Sequence, residues 1–207
     1  MTAVALSFSS LDFEDFLARY LEDGQYELID GELIDLEPTG LHEQVAGFLN
    51  RQLNGAIDRR RLPWLVPMKC LLRPSGLKTA FRADLAVLDL TVLGDEPLWR
   101  SQPVITLGKS VKLAVEVVST NWQNDYARKV EDYEAMGIVE YWIVDYLGLG
   151  GKRYIGWPKA PVITVYRLRD GAYEGRQFRG SEILVSEVFP DLELKADRVF
   201  AAGSIAV

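Results

Sequence analysis

Apolar positions along this chain follow two periods, and the changes of period mark its elements. SLDFEDFLARYLEDG predicts an N-terminal helix over 9–23, with Ser9 or Ser10 near the cap, acids in the first turn and Gly24 past the end. YELIDGELIDLEP then places Asp30-Gly31 between two alternating apolar runs, a hairpin signal. In HEQVAGFLNRQLNGAIDRR, Val45, Phe48, Leu49, Leu53 and Ile57 fall on one helical face. Three strand-like runs follow: LPWLVPMKCLLRP, FRADLAVLDL and VKLAVEVVS. The segment between the last two, residues 91–110, is rich in Gly, Pro and polar residues and reads as an irregular connection or a lid. NDYARKVEDYEAMG is a helix closed by Gly137, and VEYWIVD is apolar enough for a central strand. PVITVYRLRDGAYEGRQF is a hairpin around Asp170-Gly171, and EILVSEVFPDLEL a short edge strand with a turn.

The order of these elements predicts an α/β or α+β fold, a mixed sheet flanked by helices. We expect one domain over 1–207, with a core over 26–146 and a β-rich C-terminal extension over 160–200 that carries the second hairpin.

Two acids break the apolar strands. Asp84 interrupts FRADLAVLD and Glu116 interrupts LAVEVVS, where a charge is expensive unless paired or bound to a metal. On the following helix Asp125, Lys129 and Tyr133 recur every four residues and share a face. Two carboxylates and a lysine suit metal-assisted chemistry on a phosphate: divalent metal neutralises charge and activates water, and a lysine positions or deprotonates that water. Structural alternatives exist for each residue. Asp84 has Arg82 two residues away, Glu116 has Lys112 four away, and Asp125 with Lys129 fits an ordinary i,i+4 surface pair.

Composition narrows the chemistry. One cysteine and one histidine cannot build a thiolate–imidazole zinc site in one chain, so a metal here is oxygen-ligated, which favours magnesium, manganese or calcium, with Mg2+ or Mn2+ the expected cofactor. The lone Cys70 sits in an apolar run, reads as core, and fits a reducing cytoplasm. The first sixteen residues lack the basic segment of a signal peptide, and no apolar run approaches the ~20 residues of a membrane span. The net charge of -7 argues against a general nucleic-acid coat protein. Yet residues 51–82 carry eight basic side chains against Asp58, while residues 1–50 carry eleven acids against Arg19. Arg59, Arg60, Arg61 and Arg82 in that basic block are candidate phosphate contacts. The aromatic residues read mostly as core; Trp122, in the loop after the Glu116 strand, is the exception.

These blocks resemble the PD-(D/E)XK, restriction-endonuclease-like superfamily, most closely its bacterial Uma-type branch, formerly a domain of unknown function. The resemblance runs from about Tyr26 to Leu194 through YELIDGEL, His42, RADLAVLD, VEVVS, D-x-x-x-K-x-x-x-Y and GIVEYWIVD. It implies a divalent-metal-dependent endonuclease acting on DNA, with Asp84 and Glu116 as metal ligands and Lys129 as the catalytic lysine. Val118 occupies the place of the usual strand lysine, Ala83 that of a proline, and Thr120-Asn121 that of Ser-Pro. Glu27 and His42 match further polar positions near the pocket, and Asp125 and Tyr133 would support the lysine. His42 also has a structural reading, capping its helix or lying at the surface.

Two-fold symmetry of duplex DNA makes a homodimer the simplest assembly. A non-catalytic nucleic-acid-binding or protein-interaction module on the same fold is the alternative. A carboxylate-pair glycoside hydrolase fits the lysine and the basic block poorly.

Overall fold

In the computed structural model the described residues are 10–20, 26–36, 38–76 and 78–205. Ser9 and Gly24, the expected ends of the first helix, lie outside them. Helix α1 spans Phe13–Tyr20, and Asp12 supplies its cap by accepting from the Asp15 amide at 2.8 Å. Strands β1 (Tyr26–Ile29) and β2 (Glu32–Asp35) form a separate two-stranded sheet. Asp30 and Gly31 take φ of 51° and 85° in their turn, the left-handed pair that an Asp-Gly hairpin uses.

Helix α2 (Gly40–Arg60) starts at Thr39, whose hydroxyl accepts from the His42 amide. The cap is therefore Thr39 and not His42. Val45, Leu49, Leu53 and Ile57 are buried along α2, as their spacing predicts, while Phe48 is only partly buried.

The run LPWLVPMKCLLRP is not one strand. Pro63 and Pro67 bracket its first part, and proline cannot donate to a ladder. The result is two short strands in different sheets: β3 (Trp64–Leu65) beside β5 (Leu85–Asp89), and β4 (Leu71–Leu72) parallel to β6 (Val104–Ile105). Segment 91–110 is thereby stitched into the fold. Glu96 reinforces it by accepting from the Thr106 and Leu107 amides.

The main sheet has six strands in the order β10-β9-β8-β7-β5-β3, with β7 (Val111–Val117), β8 (Glu140–Asp145), β9 (Val162–Arg169) and β10 (Ala172–Phe178). Only β7 and β8 run parallel, and helix α3 (Lys129–Met136) forms the crossover between them. The C-terminal hairpin turns at Asp170-Gly171 as expected. It forms one edge of the sheet, because β9 pairs with the central strand β8 over six residues. Residues 182–194 form a single bridge, Ile183 to Lys195, in place of an edge strand, and a short helix α5 (Ala196–Ala202) follows.

Side-chain alternation on β7 divides the core. Leu113, Val115 and Val117 pack toward α2 with Trp142, Val144 and Val199, whereas Ala114 faces the layer of Tyr133, Tyr141 and Ile143. Glu116 shares the parity of Ala114, which turns its carboxylate toward α3. A third cluster, with Phe13, Phe16, Leu28 and Leu71, joins α1 and the first hairpin to the body.

Candidate active site

Strands β7 and β8 end at one edge of the sheet, and four carboxylates gather there around a single ammonium. Lys129 Nζ lies 3.0 Å from Glu27 Oε1, 3.0 Å from Glu116 Oε2 and 3.4 Å from Asp125 Oδ1. Tyr133 donates its hydroxyl to Glu116 Oε1 at 2.8 Å. All five side chains are buried. The Asp125–Lys129 pair is thus internal, and the surface-pair alternative does not describe it.

The local backbone explains how Lys129 reaches this place. Residues Asn124–Arg128 form a π-helical turn, with the Lys129 amide bonded to the Asn124 carbonyl. Arg128, in that turn, forks onto Asp30 at 2.9 and 2.8 Å and bonds Asp132 at 2.6 Å. This clamp ties the first hairpin to the helix, and the hairpin carries Glu27 to Lys129. Glu27 Oε1 also accepts from the Arg82 amide at 2.9 Å.

Asp84 is placed differently from the sequence expectation. It sits in a bend just before β5, not within the strand, and its side chain keeps 22% exposure. Its Oδ2 accepts from the Val117 amide at 2.7 Å and lies 3.3 Å from His42 Nε2. His42 Nε2 is 2.9 Å from the Val117 carbonyl. Both neighbours are acceptors, so Nε2 carries a hydrogen. Asp84 and His42 therefore hold both backbone polar groups of Val117, the residue after Glu116. Asp84 Oδ1 takes no hydrogen bond among the described residues.

These residues line a cavity of about 450 Å³ whose rim includes Ile34 and Pro38 of the hairpin segment, the Met68–Cys70 loop, and Asn121. No residue of 91–110 lines it, so that segment is not its lid. Cys70 is buried, and desolvation pushes its thiol up to about 12, a packing residue as expected. Trp122 packs edge-on against Tyr154 with ring centroids 6.1 Å apart.

Three of these acids share the Lys129 ammonium, while His42 faces Asp84 and Arg82 lies beside Glu27, and the titration of the members follows. Burial raises Glu116 well above the usual carboxylate range; Lys129 opposes this, while Asp84, Asp125 and Glu27 reinforce it. Burial, opposed by Lys129 and reinforced by Asp84 and Glu27, raises Asp125 to about 7. For Lys129 burial disfavours the charge, but the surrounding carboxylates outweigh it and hold the amine protonated well above its ordinary value. Burial likewise opposes the His42 imidazolium, and Asp84 overcomes it, giving about 9.

Carboxylate oxygens are the donor class that Mg2+ and Mn2+ prefer. Asp84 Oδ1 is available at the cavity, and each Glu116 oxygen retains a lone pair beyond its one hydrogen bond. Among the described residues no three His, Cys, Asp or Glu side chains form a ready-made metal cluster. Two carboxylates suffice for magnesium when water and substrate phosphate complete the shell. The residues fit the group.

The sequence-predicted residues separate into two places. Asp84, Glu116, Lys129, Glu27, His42, Asp125, Tyr133 and Arg82 converge on the cluster. Arg59, Arg60 and Arg61 stand at the opposite end of α2 from His42, roughly 25 Å away at 1.5 Å per residue. There Arg60 bonds the Val188 carbonyl at 3.1 Å and pairs with Asp191 at 3.6 Å. Lys112 pairs with Asp89 at 3.0 Å and does not reach Glu116. Arg128 was missed by the sequence reading; its basic type beside Lys129 carries no signal of a clamp onto Asp30.

The site is thus a carboxylate-and-lysine cluster at the ends of the parallel pair of a mixed sheet. The chain belongs to the Uma2 family, whose model, described as "Putative restriction endonuclease", matches residues 13–197. Its fold is similar to that of the crystal structure of a "putative nuclease belonging to DUF820" from Anabaena variabilis. The two share 15% identity at a TM-score of 0.68, covering 94% of this chain and 99% of the other. Among curated proteins none matches. Within the described residues no helix is long and apolar enough to cross a membrane.

Proposed function

We propose that this protein is a divalent-metal-dependent endonuclease hydrolysing phosphodiester bonds in DNA. The observation that supports this most is the pairing of an available Asp84 oxygen with Glu116 on one cavity, beside a buried ammonium. Asp84 and Glu116 would hold Mg2+ or Mn2+, which supplies charge neutralisation at the phosphoryl group and an activated water.

The chain's own residues do the rest. Tyr133 and Lys129 fix the two Glu116 oxygens, so its carboxylate is oriented before substrate arrives. His42 and the Val117 amide hold Asp84 Oδ2 and leave Oδ1 toward the cavity. Lys129, held as an ammonium between Glu27, Glu116 and Asp125, would donate to a non-bridging phosphate oxygen by exchanging its longest contact, that to Asp125 at 3.4 Å. Arg82 lines the same cavity, as does Lys69 of the same basic block, and Arg82 would meet the scissile phosphate. The trio Arg59, Arg60 and Arg61 would touch DNA only far from the bond being cut. A homodimer would offer one site to each strand of a duplex.

The test is calorimetry with Mg2+ and Mn2+ on wild type, Asp84→Ala and Glu116→Ala, followed by cleavage of plasmid, branched and single-stranded DNA. Saturable binding lost in both variants, with cleavage lost in Lys129→Ala, is the expected result. Wild-type protein that is folded yet neither binds metal with oligonucleotide present nor cuts any of these substrates would sink the proposal.

A further inference from the structure

Residues 146–169 carry five basic side chains and no acid, in a chain of net charge -7; Arg167 and Arg169, late in β9, pair with Glu187, which leaves Lys152, Arg153 and Lys159. The first part of this stretch joins β8 to β9 and includes helix α4 (Lys152–Ile155). It leaves β8 at the same edge of the sheet where β7 delivers Glu116, since those strands are parallel. Trp157 lies in it with 73% of its surface exposed, and Lys152 Nζ sits 4.2 Å from its ring centre. Lys152, Arg153 and Lys159 are all exposed.

The strap is held firmly. Asp145, at the end of β8, accepts from the Leu149 and Gly150 amides, both at 2.8 Å. Lys159 Nζ donates to the Leu149 carbonyl at 2.9 Å, and Arg179 donates to the Ala160 carbonyl at 3.1 Å. Tyr154 stacks on buried Tyr126 with centroids 5.1 Å apart. A tryptophan presented this openly by a tethered strap costs hydrophobic surface that folding does not recover.

The strap is also continuous with the candidate active site. Trp122 follows Asn121, which lines the cavity, and packs on Tyr154 of the strap. A side chain at Gly151 would meet the Trp122 ring at 2.8 Å, so glycine there permits the close approach.

From this juxtaposition we infer that the Lys152–Lys159 strap binds a single nucleic-acid strand leaving the cavity, with Trp157 stacking on an unpaired base and Lys152, Arg153 and Lys159 meeting its phosphates. Base–aromatic stacking tolerates any sequence, because every base presents a π-face, and the basic side chains track the backbone. The inference rests on the nuclease reading for its substrate class but names a surface separate from the carboxylate cluster. It makes strand-separated DNA the preferred substrate form and assigns phosphate contacts that the distant Arg59–Arg61 group does not provide.

The experiment measures fluorescence anisotropy of a labelled oligo-dT and of a duplex of equal length, without divalent metal, on wild type, Trp157→Ala and the double variant Lys152→Ala/Arg153→Ala. Both variants alter exposed side chains, and matching circular dichroism and melting curves confirm their folds. Wild type should bind the single strand more tightly than the duplex. Trp157→Ala should weaken single-strand binding about tenfold. The double variant should lower the slope of log affinity against log salt by about 1.4 for a single strand. Unchanged affinity in both variants overturns the strap, even if wild type binds and cuts DNA. Loss of binding in the variants alongside a wild type that cuts nothing under any metal keeps the strap and discards the nuclease. Binding to anionic vesicles but not to oligonucleotide assigns the surface to lipid and overturns the inference.

Discussion

Two buried glutamates sit on adjacent central strands, and they are solved in opposite ways. Glu140, at the start of β8, accepts from Trp142 Nε1 at 2.7 Å, from the Ser186 hydroxyl at 2.6 Å and from the Glu187 amide at 2.8 Å. Its hydrogen-bond partners among the described residues are all neutral donors, and it does not line the active-site cavity. Glu116, on β7, answers one ammonium and one phenol while three other carboxylates crowd the same cation. Burial alone therefore does not mark a site. Glu140 is a satisfied anchor that fastens residues 186–188 to the sheet, whereas Glu116 belongs to a cluster short of positive charge that a metal would complete. That shortage, more than the presence of an acid in a strand, separates chemistry from scaffold here.

The largest effect should come from removing the ammonium that three buried carboxylates share. Lys129→Ala leaves Glu27, Glu116 and Asp125 buried without a counter-charge, at a cost of about 3–5 kcal/mol in urea unfolding at neutral pH. DNA cleavage, if present in wild type, should fall by about 10²–10³. The carboxyl groups of this variant can escape by protonation, so the deficit should shrink at pH 5. A deficit independent of pH would mean that Lys129 contributes packing and not charge.

His42 supplies the next effect, through pH. Its folded value of about 9 lies above the ordinary 6.5, so the folded state of the metal-free protein holds the proton more tightly. The stabilisation is fully present below pH 6.5 and disappears as pH rises through 9, with a ceiling of about 3 kcal/mol from the size of the shift. Denaturant curves of wild type and His42→Ala should converge between those values. Parallel curves across that range would show that Asp84 does not hold an imidazolium.

Isosteric amides on the two glutamates cross the comparison directly. In Glu140→Gln the new amide faces backbone or side-chain donors in place of an acceptor, which should cost about 1–3 kcal/mol while leaving metal binding unchanged. Glu116→Gln removes one of four competing acids, so stability should hold or rise slightly at pH 8 while metal binding is lost. Equal destabilisation by both substitutions would erase the distinction drawn here.

How legible this was follows from the range of each interaction. The Asp-Gly turns and the α2 face were readable because turn chemistry and helical period are local: Asp30, Gly31, Asp170 and Gly171 all take positive φ. Asp84 and Glu116 could be singled out because charge inside an apolar run is anomalous, and Lys129 because it shares a helical face with Asp125 and Tyr133. Glu140 and Asp145 escaped notice at the ends of such a run, although both are buried. The pairing of β9 with β8 and of β4 with β6 was not readable, since their partners lie far along the chain or are only two residues long. Glu27 sits in a common-looking hairpin and is matched to the pocket only through the resemblance; the Arg128–Asp30 clamp, a contact across 98 residues, shows why it meets Lys129.

The smallest expected effect tests the finest part of the contrast. Tyr133→Phe keeps the ring packed edge-on against Phe81 and Tyr141 but withdraws the hydroxyl from Glu116 Oε1. A buried acceptor that loses one of its two partners should cost about 1 kcal/mol. Glu116 would then be held by Lys129 alone and free to turn about that contact. If orientation of Glu116 matters to the metal, affinity for Mn2+ should drop several-fold while the melting temperature moves only slightly. Should stability fall with metal affinity intact, Tyr133 serves the core as Ser186 and Trp142 do for Glu140, and the two glutamates are more alike than their surroundings suggest.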